Sequence, residues 1–206
     1  MVFDSWRFRS RSSKLVSSVV IKTMKEFMDY TLRPLEEKDL PVILEWRNSD
    51  KVHSQMLTDH KITWEEHYGW FQRMKEQPVK RNLVFEYKGE PIGYIGYTEY
   101  DDENHTCSPG AYLGENITAP KDAALCLFYA SIEYAFTALN MERLNTDVFA
   151  DNKRALKLDK FLGYEILVAE DHYIIKNGKE KLTHRLVMTK EKWLAHKETL
   201  QAYLSV

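Results

Sequence analysis

The chain has 206 residues, 44% of them hydrophobic and 29% charged, with a formal net charge of −2, which gives room for one well-packed domain and is short for two. So even a balance excludes a global field that would draw the protein to nucleic acid or anionic lipid, and any bound anion must be held by a local site. Two cysteines, Cys107 and Cys126, without metal-ligand spacing argue against a disulfide framework or a metal site and for a reducing, cytoplasmic setting.

No apolar run approaches the roughly 20 residues of a membrane span. Residues 1–24 are rich in Arg and Ser and hold one acid, Asp4, as an organellar transit peptide would. Met24 and Met28 offer the simpler and preferred reading, a start upstream of the first clear element. The arm 1–28 is expected to pack poorly, leaving 29–206 as the domain.

Tyr30 to Pro34 alternates and stops at proline, which suits a short edge strand. Asp39 is positioned to cap a helix in which Leu40, Ile43, Leu44 and Trp46 keep helical spacing up to Asn48. Thr63-Trp64-Glu65-Glu66 is a capping box that opens a helix through Met74. Leu83 to Tyr87, the turn Lys88-Gly89-Glu90-Pro91 and Ile92 to Tyr100 form a hairpin. Ala111 to Leu113 reads as a strand, and Gly114 to Ala119 as a loop.

Pro120 suits the first position of a helix running to about Leu139. Arg143 to Phe149 is strand-like, and Asn152 to Leu162 is helical, closed by Gly163. Val168 to Ile175, the Asn177-Gly178 turn and Leu182 to Met188 make a second hairpin, and a last helix starts near Lys190. The order β-α-α-β-β-β-α-β-α-β-β-α predicts an α+β fold, an αβα sandwich with a mixed, mostly antiparallel central sheet and helices on both faces.

Two blocks carry a resemblance. Asn152-Lys-Arg-Ala155-Leu-Lys-Leu-Asp159-Lys-Phe-Leu-Gly163-Tyr164 is similar to the N-x-x-A-x-x-L-Y-x-x-x-G-F block of the GCN5-related N-acetyltransferase (GNAT) superfamily. Leu44-Glu45-Trp46-Arg47-Asn48 followed by Ile62-Thr63-Trp64-Glu65-Glu66-His67-Tyr68-Gly69-Trp70 resembles one branch, which carries EWRN and then I-T-x-E-x-H-x-x-W. That branch is the UDP-4-amino-4,6-dideoxy-N-acetyl-β-L-altrosamine N-acetyltransferases of pseudaminic acid synthesis. Pro91-Ile92-Gly93, Tyr112-Leu113-Gly114 and Tyr134-Ala135-Phe136 fit as well, so the resemblance spans the domain.

The resemblance implies acetyl transfer from acetyl-CoA to an amine, here the 4-amine of a UDP-linked amino sugar, with no metal, nucleic acid or membrane partner; a homodimer is compatible with it. The chemistry sets three needs. A pyrophosphate needs backbone N–H donors, ideally at a helix N-terminus. An ammonium needs a base, since it has no lone pair. A developing oxyanion needs an N–H donor, and the departing thiolate a proton.

The strand–loop–helix from Leu113 and Gly114 to Lys121, Asp122, Ala123 and Ala124 is the expected cofactor site, with Asn152 and Ala155 on the second block. The family's Q/R-x-x-G-x-G/A turn is altered there: the leading base and first glycine are gone, and Asp122 would bring a carboxylate towards two phosphates, partly offset by Lys121. Arg47, Asn48, Met56, Leu57, His67, Trp70 and Tyr112 are the expected acceptor site, with a guanidinium fork for phosphate or uracil and an apolar wall for the base. Asp147 is the expected base, with Glu99 in reserve, and the N–H near Leu113 the expected oxyanion donor. Asp159 stands where the family has a thiolate-protonating tyrosine, and donates a proton only if burial raises its pKa; otherwise water substitutes.

Overall fold

The computed structural model describes residues 19–20, 29–58, 60–77 and 81–204, with backbone alone for 19–20 and 201–204. The rest of the arm 1–28 lies outside the described residues. Its one described piece, β1 (Val19–Val20), pairs antiparallel with β2 (Tyr30–Pro34), so β2 is not the edge strand its sequence suggests.

The sheet grows by local antiparallel pairing from β2 to β3 (Asn82–Tyr87), β4 (Glu90–Asp101) and β5 (Thr106–Leu113). β5 reaches five residues further back than the sequence suggests, and Ser108-Pro109-Gly110 lies extended against Gly96 to Thr98. On the other side β6 (Arg143–Phe149) pairs along its whole length with β9 (Lys179–Thr189). β7 (Glu165–Ile166) and β8 (His172–Lys176) pair with β9 as well. The predicted strand from Val168 begins instead with a 3-10 turn at Val168–Glu170. The Asn177-Gly178 turn closes the hairpin with φ of 52° and 70°, the left-handed pair that a two-residue hairpin demands.

The two halves meet where β5 and β6 run parallel, and that ladder is only two rungs long: Thr106 with Arg143, Cys107 with Leu144. Beyond it the strands part, and the sheet forks.

Helices cover both faces. α1 (Leu40–Asn48), the short α2 (Asp50–His53) and α3 (Trp64–Lys75) precede β3. Leu40, Ile43 and Trp46 of α1 and Phe71 and Met74 of α3 bury against Val84 on one face. Helix α3 carries the predicted capping box, with Thr63 accepting from Glu66 N at 3.2 Å and Glu66 Oε2 accepting from Thr63 N at 2.8 Å. Asp39 does not cap α1; its carboxylate takes both Arg33 Nη groups, at 2.6 and 2.8 Å, and the Glu36 N–H.

The opposite face takes α4 (Ala123–Thr137), α5 (Lys153–Leu162) and α6 (Lys190–Leu204). α4 is apolar nearly all round, as a helix buried against a sheet must be, and Leu127, Ile132 and Phe136 pack on Ile95, Tyr97, Cys107 and Leu144. Among the described residues no helix is long and apolar enough to cross a membrane.

Candidate active site

Strand alternation assigns the side chains at the fork. Leu144 and Leu186 belong to the core under α4, so Asp147 and Arg185, each an odd step away, face the α1/α3 side. Tyr94 and Tyr112 lie against the α1/α3 core. That side of the fork therefore presents aromatic and charged groups, and the other side presents the start of α4.

The backbone of β5 is divided the same way. Gly114 N–H bonds Ile92 O at 2.9 Å, towards β4. Successive N–H groups of a strand point to opposite edges, so those of Leu113 and Ala111 point into the open fork. Pro109 shares their edge, where the next rung to β6 would form, and has no N–H to give. The ladder ends just before it.

Gly114 leaves β5 past the Trp46 ring, and a Cβ on it would stand 2.3 to 2.6 Å from that ring's atoms. Its carbonyl accepts from Lys51 Nζ at 2.9 Å. The helix predicted to begin at Pro120 begins at Ala123 instead, whose N–H bonds Pro120 O at 3.1 Å. Asp122 turns inward: Oδ1 accepts from the Tyr30 hydroxyl at 3.0 Å and Oδ2 from Cys126 Sγ at 3.4 Å. Lys121 is exposed and Ala123 buried at the head of α4. On α5, Asn152 Oδ1 accepts from Ala155 N at 3.1 Å, so this asparagine is the helix cap.

On the α1/α3 side Arg47, His67, Trp70 and Tyr112 are brought into one array, and Tyr94, which sequence reasoning missed, joins them. His67 stacks on Trp70 at 5.2 Å, Trp70 meets Tyr94 edge-on at 6.4 Å, and Tyr94 lies 5.3 Å from Tyr112. Arg47 interacts electrostatically with both tyrosines. Its Nη2 donates to Thr58 Oγ1 at 3.1 Å, while Nη1 is buried with no partner among the described residues. Burial pulls its pKa below the ordinary arginine value.

His67 is 6% exposed, and its Nε2 is likewise buried without a partner among the described residues. Burial lowers its pKa, opposed by a hydrogen bond to the Leu40 backbone. Asn48 stands apart from the array: its amide donates to Ile62 O and accepts from Ile62 N, both at 2.8 Å, pinning the loop before α3. Met56 is half-buried in the bend after α2, and Leu57 there is 52% exposed.

Asp147 is cross-strand partner to Arg185. Arg185 Nη2 donates to Oδ2 at 3.2 Å, and Nε lies 2.8 Å from Oδ1 in a charge contact whose angle is too bent for a hydrogen bond. His172 Nε2 is 3.8 Å from Oδ2. Glu99 sits in the β4 bulge with a left-handed φ of 47°, which re-aims its side chain. Its Oε2 is 3.8 Å from Arg185 Nη1. Asp159 is 3% exposed on α5, and no described residue bonds or pairs with its carboxyl. Burial alone pushes its pKa up to about 7.

Comparison with known proteins fits this arrangement. Residues 29–165 match the acetyltransferase (GNAT) domain family. The chain is 28% identical to acetyltransferase PseH of Campylobacter jejuni over 124 residues, 60% of this chain and 75% of that protein. It is 24% identical to spermidine N(1)-acetyltransferase of Escherichia coli over 174 residues, 82% of this chain and 90% of that one. In fold it resembles the Vibrio cholerae spermidine N-acetyltransferase solved with CoA and spermine, with a TM-score of 0.72 at 20% identity, covering 81% of this chain and 98% of the other. The family match takes in both arms of the fork and the α4 start, so the chain belongs to the GNAT acetyltransferases and is an acetyl-CoA-dependent N-acetyltransferase.

Proposed function

We propose that the acceptor is the 4-amine of an amino sugar carried on a nucleoside diphosphate, the UDP-4-amino-4,6-dideoxy-N-acetyl-β-L-altrosamine class. The observation that carries this reading is Arg47. A guanidinium withdrawn from water without a carboxylate is costly to fold, and its buried, unpartnered Nη1 is met by an anionic ligand. Tyr94, Tyr112, Trp70 and His67 beside it offer rings for a base and the unpartnered Nε2 for a polar group.

The residues at the fork fit acetyl-CoA, which supplies an activated acetyl thioester when bound. The N–H groups of Ala111 and Leu113 at the open edge and the start of α4 would hold it. Leu113 N–H donates to the carbonyl oxygen as negative charge develops there. Asp147, facing the acceptor side, takes the proton of the acceptor ammonium, directly or through water. Asp159, held partly protonated near neutrality by burial, returns a proton to the leaving sulfur.

The resemblance to spermidine acetyltransferases supports a second reading, a polyamine acceptor. Mass spectrometry of both acceptors after incubation with acetyl-CoA decides between them. Acetylation of the UDP-4-amino sugar is expected; acetylation of spermidine alone overturns the reading.

A further inference from the structure

Both carboxylates that border the acceptor side of the fork share one guanidinium. Asp147 rises from β6 and Glu99 from the β4 bulge, on opposite arms. Arg185 of β9 reaches over β6 with Nε 2.8 Å from Asp147 Oδ1 and Nη1 3.8 Å from Glu99 Oε2. Asp147 and Arg185 are largely enclosed, whereas Glu99 is 62% exposed in its side chain. Glu99 also holds a backbone conformation that L side chains adopt at a cost. His172 Nε2 lies 3.8 Å from Asp147 Oδ2.

Two carboxylates facing a cleft form a site for a cation with more than one ammonium. With the guanidinium between them a single net negative charge remains, enough for one ammonium. We infer that Arg185 sets the charge class of the acceptor, by neutralising one of these two carboxylates and so weakening the binding of polycationic amines. The inference rests on the proposed acceptor reading, and it makes Arg185 a specificity-determining residue that acts through Asp147 and Glu99. Removing one unit charge about 5 Å from a second ammonium, at an effective dielectric of about 40, changes affinity roughly tenfold.

The test uses the full chain, acetyl-CoA, and two acceptors, spermidine and the UDP-4-amino sugar, with released coenzyme A thiol as the readout. Arg185→Gln is expected to raise the ratio of kcat/KM for spermidine over the nucleotide sugar by roughly tenfold; the ratio cancels any common loss from a disturbed Asp147. Arg185→Lys, which keeps the charge, should leave the ratio near the wild-type value. Calorimetry should detect spermidine binding to Arg185→Gln more tightly than to the wild type.

An unchanged ratio, or Arg185→Lys behaving like Arg185→Gln, overturns the inference. If Arg185→Gln does not fold, Glu99→Gln serves, since it takes the group from one net negative charge to none: spermidine selectivity must fall, and an unchanged or raised value is fatal. A wild-type enzyme that acetylates spermidine and ignores the nucleotide sugar sinks the proposed function instead. Arg185→Gln should even then bind spermidine more tightly than the wild type does.

Discussion

The Tyr30 hydroxyl donates to Asp122 Oδ1 at 3.0 Å, tying the second strand of the sheet to the turn that opens α4. Sequence alone makes Asp122 a carboxylate in the way of a pyrophosphate, so that Asp122→Gly should tighten cofactor binding. The bond reverses that expectation. Tyr30 is 1% exposed, and a hydrogen bond from so enclosed a hydroxyl to a carboxylate contributes about 1.5–3 kcal/mol. Asp122→Gly is therefore expected to lower stability by that amount in urea unfolding, while coenzyme A affinity in calorimetry moves by less than about 0.5 kcal/mol. Tighter coenzyme A binding in a variant of undiminished stability would restore the repulsion argument.

The bond also shows what the sequence leaves illegible. Features set within one turn of chain were readable: the Thr63/Glu66 capping box, the Asn177-Gly178 turn, and Gly163, with its left-handed φ of 101°. Partners far apart in sequence were not. Arg185 meets Asp147 across 38 residues and Tyr30 meets Asp122 across 92, and no local spacing announces either. Tyr94 was missed because alternation along β4 marks a strand without saying which face meets α1.

Gly114 offers a stability test of how the acceptor side is built. A Cβ there would fall 2.3 Å from Trp46 Cε2, far inside van der Waals contact, and Trp46 is 4% exposed with no room to retreat. Gly114→Ala should cost roughly 1–3 kcal/mol through forced repacking. Because Trp46 precedes Arg47 on α1, the displaced helix should also raise KM for the acceptor. Unchanged stability in chemical denaturation would mean that α1 shifts freely.

Arg47 separates function from stability. Its guanidinium is desolvated and half-satisfied, so replacing it with an apolar side chain of similar length removes a burial cost as well as a ligand contact. Arg47→Met should leave stability unchanged or raise it by about 1 kcal/mol, leave coenzyme A binding alone, and raise KM for the nucleotide sugar by at least about tenfold. His67→Ala should share the KM effect. A strongly destabilised Arg47→Met with normal KM would mark the guanidinium as a structural clamp on Thr58.

Asp159 gives the sharpest pH signature, because burial alone pushes its carboxyl from the ordinary aspartate value of 3.8 up to about 7. The folded state therefore holds this proton over a range in which the unfolded chain has released it. The stability this contributes is fully present below about pH 4 and is lost as the pH rises through about 7, at no more than about 1.4 kcal/mol per pH unit. Asp159→Asn keeps the shape and cannot ionise. Its stability relative to wild type should thus climb between about pH 4 and 7 and then level off, by on the order of a few kcal/mol in all. Kinetics should move the opposite way. If the protonated carboxyl supplies the leaving sulfur, wild-type kcat falls above about pH 7 as the proton is lost, and Asp159→Asn lowers kcat and flattens that limb. Asp159→Tyr, which installs the residue found at this place in the family, should shift the limb upwards towards the tyrosine range near 10. A stability gain in Asp159→Asn with kcat and its alkaline limb untouched would make Asp159 a buried acid without a catalytic part, and solvent the proton donor.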